Sequence, residues 1–404
     1  MADKITTRAL VALAPGEPLS LQTVELDTSD LGSDEAVVEF THSGLCHTDL
    51  AVASGHIPGR FPAVLGHEGA GIVRRLPRGY AGPLAVGDRV LATFAACGQC
   101  TTCRHSYTSA CTRGVEYNFG FERGEGRAPH GVRLIERGEG SERAAIGFFG
   151  QSSFAQTSIC RQTSLVKVAD DLPFDLVCSF GCGFQTGFGT VRNHLIPCHA
   201  AAWSQATGSG TPFRPRSLAV FGIGAVGLGA VIAAKAEGIE RIIAVEPTAS
   251  RRQLALEAGA IHAFDPLEAT SDGPGEPDPA AKLKGMTDGE GVDLIVDATG
   301  NSTVFRHAVH SLASKGHLCV VGAPPAGTEL SFDAFYVLNK GLLISSIVEG
   351  ASIPERLLPQ MLDLVKQGAF DVLKKAVKVY RPDQVDEAVR AAKSGEVLKP
   401  VFAW

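Results

Sequence analysis

Four cysteines lie close together in the sequence and could bind a single metal ion. Their spacing is C-x2-C-x2-C-x7-C, and they are Cys97, Cys100, Cys103 and Cys111. Zn²⁺ accepts four thiolates in a tetrahedron at about 2.3 Å, which short loops can supply. Two disulfides at this spacing would be strained, because bridged Cα atoms usually lie about 4.4–6.8 Å apart with defined dihedral angles. We therefore predict a closed structural zinc site, with disulfides or an iron–sulfur cluster as the alternatives.

A glycine pattern later in the chain could bind a dinucleotide. Residues 222–227 read G-I-G-A-V-G, which matches G-x-G-x-x-G with Gly222, Gly224 and Gly227. The pattern follows a predicted strand and opens a predicted helix. The glycines would therefore permit a tight turn and let a pyrophosphate approach the helix N-terminus. The alternative is a glycine-rich turn in a sheet that binds no nucleotide.

The end of the next predicted strand bears on the choice of coenzyme. Glu246 stands there, and a carboxylate at this point accepts hydrogen bonds from the adenosine ribose and repels a 2′-phosphate. Arg251 and Arg252 are close in sequence, and arginines can bind that phosphate. We predict NAD, with NADP as the alternative.

Two kinds of secondary-structure pattern must position these residues. About the first 190 residues alternate short β-rich runs, such as 35–40 and 89–92, with glycine, proline and histidine, which is typical of an irregular β-rich domain. After that, predicted strands and helices alternate, and this βαβ series implies a mostly parallel sheet. Two polar stretches, 197–216 and 268–278, are predicted to be loops. A chain of 404 residues is long enough for two domains.

The bulk composition bears on the class of partner. A net charge of −6 argues against nucleic acid, because phosphate binding requires a concentrated basic face. The longest apolar run, 218–234, contains four glycines and is slightly too short to span a membrane. No charged segment followed by an apolar segment opens the sequence. We expect a cytoplasmic protein that acts on a small molecule.

Several motifs occur in an order that is typical of one family. Along the chain they are G-L-C-H-T-D at 44–49, G-H-E-G-A-G at 66–71, the four cysteines, G-C-G at 181–183, the glycine pattern and V-G-A-P-P at 321–325. With these motifs the sequence resembles the zinc-dependent medium-chain alcohol dehydrogenases over nearly its whole length. The stretch F-F-G-Q-S-S-F-A at 148–155, together with C-H-T-D, looks most like the aryl (benzyl) alcohol dehydrogenases.

The resemblance joins three residues that their spacing would not join. It implies that Cys46, His67 and Cys182 hold a catalytic zinc, since a Cys₂His set leaves one coordination position open. Each chain would then carry two Zn²⁺ ions. Asp49 and Glu68 have the acidic character expected of groups that orient such ligands from behind.

The resemblance also implies a proton acceptor and a substrate pocket. Thr48 would take the proton of the alcohol. Phe148 and Phe149 would line the pocket, where flat apolar rings suit an aromatic substrate, although a pair of core phenylalanines is the alternative. Ala51 stands where well-studied relatives carry the histidine that ends the proton relay.

Four further residues are implied as coenzyme contacts. Backbone groups of Val321 and Ala323 would bind the nicotinamide amide. Lys399 and His47 would pair with the pyrophosphate, with a solvated surface lysine as the alternative for Lys399.

The expected architecture is an α/β protein with a GroES-like β-rich catalytic domain and a Rossmann domain, a doubly wound parallel sheet that binds the coenzyme. We expect the catalytic domain at 1–185 and 345–404, with the four-cysteine lobe at 95–113, and the NAD-binding domain at 186–344. The predicted strand at 342–348 would pair with its copy in a homodimer or homotetramer.

The expected reaction is hydride transfer between a primary alcohol, aromatic or allylic, and NAD, which gives the aldehyde. Two alternatives remain. One is a zinc-dependent dehydrogenase for a polyol, a terpene alcohol or a glutathione adduct. The other is a non-catalytic nucleotide-binding protein of the same fold.

Overall fold

The chain forms two compact units. The structure is a computed structural model that describes residues 3–123, 127–135, 143–169, 172–207, 214–268, 278–325 and 327–404, and for residues 204–207 it describes the backbone alone. The first unit comprises Met1–Cys182, Ile353–Leu364 and Leu373–Trp404, and the second comprises Gly183–Ser352 and Val365–Val372. The predicted boundary at 185 lies close to the observed one, whereas residues 345–352 and Val365–Val372, predicted to be in the catalytic domain, belong to the second unit. One reason is that the strand near 345 pairs with the sheet of the second unit.

The first ten and the last two described strands belong to the first unit, and the six strands between them belong to the second. In chain order they are β1 (Lys4–Ala12), β2 (Ser20–Asp27), β3 (Glu35–Gly44), β4 (Ala63–Val64), β5 (Gly69–Arg75), β6 (Arg89–Ala92), β7 (His130–Leu134), β8 (Arg143–Ile146), β9 (Thr157–Arg161), β10 (Leu165–Lys167), β11 (Ser217–Phe221), β12 (Arg241–Val245), β13 (His262–Phe264), β14 (Val292–Asp297), β15 (Leu312–Val320), β16 (Leu343–Ser346), β17 (Val377–Tyr380) and β18 (Lys399–Ala403).

The helices are short in the first half of the chain and longer in the second. They are α1 (His47–Ala53), α2 (Thr101–Arg104), α3 (Gly114–Asn118), α4 (Phe174–Val177), α5 (Gly183–Gly189), α6 (Ile196–Thr207), α7 (Ala225–Ala236), α8 (Ala249–Ala258), α9 (Pro279–Gly285), α10 (Ser302–Ser311), α11 (Ala334–Lys340), α12 (Pro354–Lys366), α13 (Leu373–Ala376) and α14 (Val385–Ser394).

The first unit is built on two β-structures. Strands β1, β2, β7, β8 and β4 close into a barrel, and a second sheet has the order β10-β6-β5-β3-β18-β17, with β9 also paired to β3. Ala36, Val38 and Phe40 alternate along β3 and are buried in one hydrophobic core cluster. The C-terminal strand β18 pairs with the end of β3, which brings the last residues of the chain next to Gly44.

The second unit is a parallel sheet of order β13-β12-β11-β14-β15-β16. Every residue of β11 is buried, and its sequence S-L-A-V-F is apolar after the first residue. Such continuous apolar runs are typical of parallel strands that are covered on both faces. The sheet confirms the predicted βαβ series.

The predicted loop at 197–216 is wrong in its first half. Helix α6 covers Ile196–Thr207, and residues 208–213 lie outside the described part of the chain. Pro197 suggested a break, but the alanines at 200–202 favour a helix. A π-helical segment at Thr190–Leu195 leads directly into α6. Most of the other predicted loop, 269–277, also lies outside the described residues.

Among the described residues, no helix is both long and apolar enough to cross a membrane.

Candidate active site

The three residues that the resemblance joined lie together in the first unit. Cys46 precedes α1, His67 lies between β4 and β5, and Cys182 is the last residue of the first chain segment of this unit. Each of these residues, and also Glu68, offers one possible ligand atom, and these four atoms lie within 4.8 Å of one another. The pKa of the Cys46 thiol is well below its ordinary value, chiefly because of a hydrogen bond with Cys182 and also because of the positive charges nearby. A thiolate is the form of cysteine that binds metals.

His67 is held in one orientation by a buried carboxylate. Its Nδ1 lies 2.9 Å from Asp49 Oδ1, and both side chains are fully buried. Asp49 also accepts hydrogen bonds from the backbone N–H groups of Cys46 and Gly66, each at 3.0 Å. In the neutral imidazole, donation from Nδ1 to Asp49 leaves the lone pair on Nε2. That Nε2 is buried and has no hydrogen-bond partner among the described residues.

An unpartnered imidazole nitrogen beside two cysteines fits a bound Zn²⁺ ion. Burying a polar atom without a partner costs free energy, and a metal ion at this point would remove that cost. Sulfur and imidazole donors are also the set that zinc prefers.

Lys399 is buried next to Glu68 and is not a surface residue. Its Nζ donates to both carboxylate oxygens of Glu68, at 2.8 and 2.9 Å, and to Leu45 O at 3.2 Å. The residue is 3% exposed. Since an ammonium has three donors and all have acceptors here, neither the predicted pyrophosphate contact nor the solvated alternative matches this arrangement.

Glu68 therefore has two neighbours of different kinds. It is paired with Lys399, but one of its oxygens also lies within 4.8 Å of the possible ligand atoms of Cys46, His67 and Cys182. Burial raises the pKa of the Glu68 carboxyl, and the Lys399 ammonium opposes that rise.

The first turn of α1 carries the two polar residues that follow Cys46. Thr48 is half-buried, with its Oγ1 4.0 Å from Cys46 Sγ. His47 is the first helical residue and is exposed. Thr48 is thus beside a candidate ligand, whereas His47 faces outward.

Aromatic rings pack directly on the candidate ligand histidine. The Phe149 ring stacks on His67 with centroids 4.5 Å apart, and the Phe148 ring meets it edge-on at 5.7 Å. Phe149 has a φ of 51°, which is costly for a residue other than glycine and is typical of functional turns. Phe119 packs against both rings at 5.9 and 5.1 Å. No motif in the sequence singles out Phe119, which lies just after the four-cysteine segment and far from residue 148.

The four-cysteine lobe has the sulfur geometry of a metal site. Ligand atoms of Cys97, Cys100, Cys103 and Cys111 lie within 4.8 Å of one another. Cys97 Sγ and Cys103 Sγ are 3.9 Å apart, whereas a disulfide requires about 2.05 Å. All ten cysteines of the chain are free thiols. The lobe therefore fits the predicted structural zinc rather than disulfides.

The glycine pattern forms a tight loop in the second unit. Gly222 has a φ of +85°, and a Cβ on Gly227 would lie only 1.9 Å from Gly222 O, so the fold itself needs both glycines. A Cβ on Gly224 would meet nothing within 4 Å. No contact of the described chain explains that glycine, whereas a pyrophosphate above the N-terminus of α7 would.

Glu246 is tied to the loop that the glycines form. Its two carboxylate oxygens accept hydrogen bonds from Ile223 N at 2.7 Å and Thr248 N at 2.9 Å. Arg252 donates to the backbone oxygens of Glu246 and Pro247 and is therefore engaged. The Arg251 Nε is buried without a hydrogen-bond partner among the described residues.

The two residues predicted to bind the nicotinamide amide follow β15 at the carboxyl edge of the sheet. Val321 N donates to Asp297 O at 2.9 Å, and Ala323 is exposed. This edge is where parallel sheets bind their ligands.

Two stretches of the chain each match a known protein family. Residues 32–170 match the alcohol dehydrogenase GroES-like domain, and residues 225–367 match the zinc-binding dehydrogenase family. Geraniol dehydrogenase of Castellaniella defragrans is 36% identical over 402 residues, which cover 100% of this chain and 99% of that protein.

Two solved structures have the same fold over 99% of both chains. Benzyl alcohol dehydrogenase from Acinetobacter calcoaceticus is 34% identical with a TM-score of 0.85. An alcohol dehydrogenase zinc-binding domain protein from Burkholderia ambifaria is 37% identical with a TM-score of 0.87. These matches confirm the predicted combination of a GroES-like and a Rossmann domain. The sequence motifs, the fold and the relatives together establish that this chain belongs to the zinc-dependent medium-chain alcohol dehydrogenase family.

Proposed function

We propose that this enzyme transfers a hydride from a primary aromatic or allylic alcohol to NAD, with release of a proton and formation of the aldehyde. The observation that carries this proposal is the aromatic cluster of Phe119, Phe148 and Phe149 packed on His67. Flat apolar rings next to a polar reacting centre suit a substrate whose carbinol carbon is attached to an apolar π-system. The names of the Castellaniella and Acinetobacter relatives, which refer to geraniol and benzyl alcohol, support the same class.

Cys46, His67 and Cys182 would hold the catalytic Zn²⁺. When bound there, the ion would supply Lewis-acid chemistry by polarising the substrate oxygen and lowering the pKa of the alcohol. Asp49 keeps His67 in the tautomer whose Nε2 can bind a metal, through the 2.9 Å contact at Nδ1. The Phe149 ring covers one face of the imidazole and excludes water from it.

Thr48 is proposed to accept the proton of the alcohol. It stands two residues after Cys46, and its hydroxyl can both accept and donate a hydrogen bond. The exposed His47 is proposed to bind the coenzyme phosphate. Its competing role is proton transfer to solvent, because Ala51 cannot carry a proton.

The coenzyme is proposed to bind over the loop of Gly222, Gly224 and Gly227. The open face of Gly224 and the N-terminus of the twelve-residue helix α7 support a pyrophosphate at this loop. Glu246 would select NAD, because its side chain lies at the loop where a 2′-phosphate of NADP would have to be accommodated. Val321 and Ala323 would bind the nicotinamide amide, and Arg251 would line the adenosine end.

The proposed substrate class can be tested by comparing alcohols. We expect kcat/KM for benzyl alcohol to exceed that for ethanol by about a hundredfold or more, because a buried ring removes much more apolar area from water than a methyl group. The Phe149→Leu variant should lose up to about tenfold of this preference, since aromatic pairs contribute about 0.5–1.5 kcal/mol. Phe174→Leu is the matched control, because Phe174 and Phe149 are both 6% exposed. Equal kcat/KM values for ethanol and benzyl alcohol, or a preference for a polyol or a glutathione adduct, would contradict the proposal.

The coenzyme assignment can be tested at Glu246. We expect Glu246→Gln to raise the kcat/KM ratio of NADP to NAD by about tenfold, because the repulsion of the 2′-phosphate is removed while the amide can still accept a hydrogen bond. Glu246→Ala should raise the same ratio but weaken both coenzymes, since Ile223 N and Thr248 N lose their acceptors. A wild-type enzyme that already prefers NADP would show that Arg251 dominates instead.

The chain is further proposed to form a homodimer or homotetramer through the second unit. Strand β16 is an edge strand of the parallel sheet. Three apolar residues near it in sequence, Phe335, Leu338 and Val348, are 73%, 76% and 65% exposed. A sheet edge and a group of exposed apolar side chains are both features that association covers.

Light scattering at micromolar concentration tests this assembly. We expect a dimer or tetramer for the wild type and dissociation for Leu338→Glu, because a buried unpaired carboxylate opposes association. Val86→Glu is the control, because Val86 is an exposed apolar residue of the first unit. A monomeric wild type would refute the assembly.

A further inference from the structure

Gln151 is a buried amide whose hydrogen bonds all go to the backbone around the candidate metal site. Its Nε2 donates to His67 O and to Thr93 O, both at 2.9 Å. Its Oε1 accepts from Gly69 N at 3.1 Å. The side chain is fully buried. A single amide thus holds the chain on both sides of Glu68 and connects it to the residue that follows β6.

Thr93 extends this connection to the second cysteine of the site. Its Oγ1 donates to Gly181 O at 2.8 Å, and Gly181 directly precedes Cys182. Thr93 is also fully buried. A Cβ on Gly181 would lie 1.8 Å from Ala92 O, so the turn before Cys182 packs against the end of β6 without space for a side chain.

The backbone at His67 needs such a support. His67 lies between the end of β4 at Val64 and the start of β5 at Gly69, outside both strands. Its carbonyl oxygen is therefore bound by a side chain, that of Gln151, instead of a ladder. Two residues before Gln151, Phe149 stacks on the imidazole, so one turn of the chain orients both the backbone and the ring of His67.

We propose that Gln151 and Thr93 are positioning residues that fix the separation of His67 and Cys182 and thereby set the affinity of the catalytic zinc site. The proposal rests on the zinc site proposed above and assigns these two residues a role that the ligands themselves do not fill. The side-chain polar atoms of both residues are hydrogen-bonded to backbone groups, and both residues are fully buried. They act through the backbone of the two segments that carry ligands, and groups that orient metal ligands in this way typically contribute 10–100-fold in metal affinity.

The test is zinc retention against increasing concentrations of a chelator, with the four-cysteine site of the same chain as the internal reference. We expect Thr93→Val and Gln151→Met to release one zinc per chain at about 10–100-fold lower chelator concentration than the wild type, while the second zinc is released as before. Thr93→Ser keeps the hydroxyl and should retain both zinc ions as the wild type does. Because Val has nearly the shape of Thr, Thr93→Val decides the question even where Gln151→Met does not fold.

Thr28→Val is the matched control. Thr28 is a buried threonine of the first unit whose hydroxyl donates to Asp3 O at 2.9 Å, away from both ligand segments. Its variant should retain both zinc ions like the wild type. Unchanged retention in Thr93→Val, equal loosening of both zinc ions, or the same effect in Thr28→Val would each overturn the positioning role. A wild-type chain with a single zinc would overturn the catalytic zinc site itself, which is a different result from two zinc ions with unaltered affinity.

Discussion

Replacing Cys46 with serine is expected to leave one Zn²⁺ per chain instead of two and to lower kcat by more than about a thousandfold. The variant keeps the fold, because Cys46 lies at the start of a short helix and is not part of the barrel core. Without a thiolate at this position, only Cys182 and His67 remain of the Cys₂His set, and both oxygens of the neighbouring Glu68 are engaged by Lys399. Several kcal/mol of transition-state stabilisation are therefore lost. Elemental analysis and steady-state kinetics on the same preparation test this result.

Cys103→Ser is the matched substitution in the other zinc site. Its expected effect is a lower thermal midpoint, because a structural zinc contributes folding free energy. Turnover per folded chain should change much less than in Cys46→Ser. One zinc per wild-type chain, or an active Cys46→Ser enzyme, would show that the assignment of the two sites is wrong.

Replacing Lys399 with methionine is expected to lower the free energy of unfolding of the first unit by about 3–5 kcal/mol, because Glu68 then remains buried without its partner. Both residues are almost fully buried, and their ion pair is bidentate at 2.8 and 2.9 Å. A pyrophosphate ligand or a solvated lysine at this position would predict almost no change in stability. Thermal and urea unfolding in the absence of coenzyme measure the difference.

The double variant Glu68→Gln with Lys399→Met separates the charge effect from the loss of packing. Removing both charges should recover most of the lost stability, since no uncompensated charge then stays buried. Lys315→Met is a suitable control, because Lys315 belongs to the second unit. If Lys399→Met is as stable as this control, the buried pair does not contribute as argued.

The sequence by itself determined the family and much of the chemistry. The four-cysteine spacing and the glycine pattern are local, and each of these motifs folds within a segment of fewer than twenty residues. Local geometry follows from local sequence, and this explains why the sulfur cluster and the tight loop at Gly222 match the predictions. The βαβ series was equally visible, because buried parallel strands are continuous apolar runs.

The tertiary structure alone decided which distant residues touch. Lys399 meets Glu68 only because the C-terminal strand β18 pairs with β3, and no pattern in the sequence encodes a contact across 331 positions. Phe119 joins the aromatic cluster, and Gln151 reaches the backbone of His67 and Thr93, through packing between segments that are far apart in the chain. Propensity and spacing describe neighbours along the chain, whereas burial of charge and satisfaction of buried amides are settled only when the strands assemble. For this protein the motifs pointed to the candidate zinc-binding residues through the family resemblance, and the assembled barrel and sheet determined what holds those residues in place.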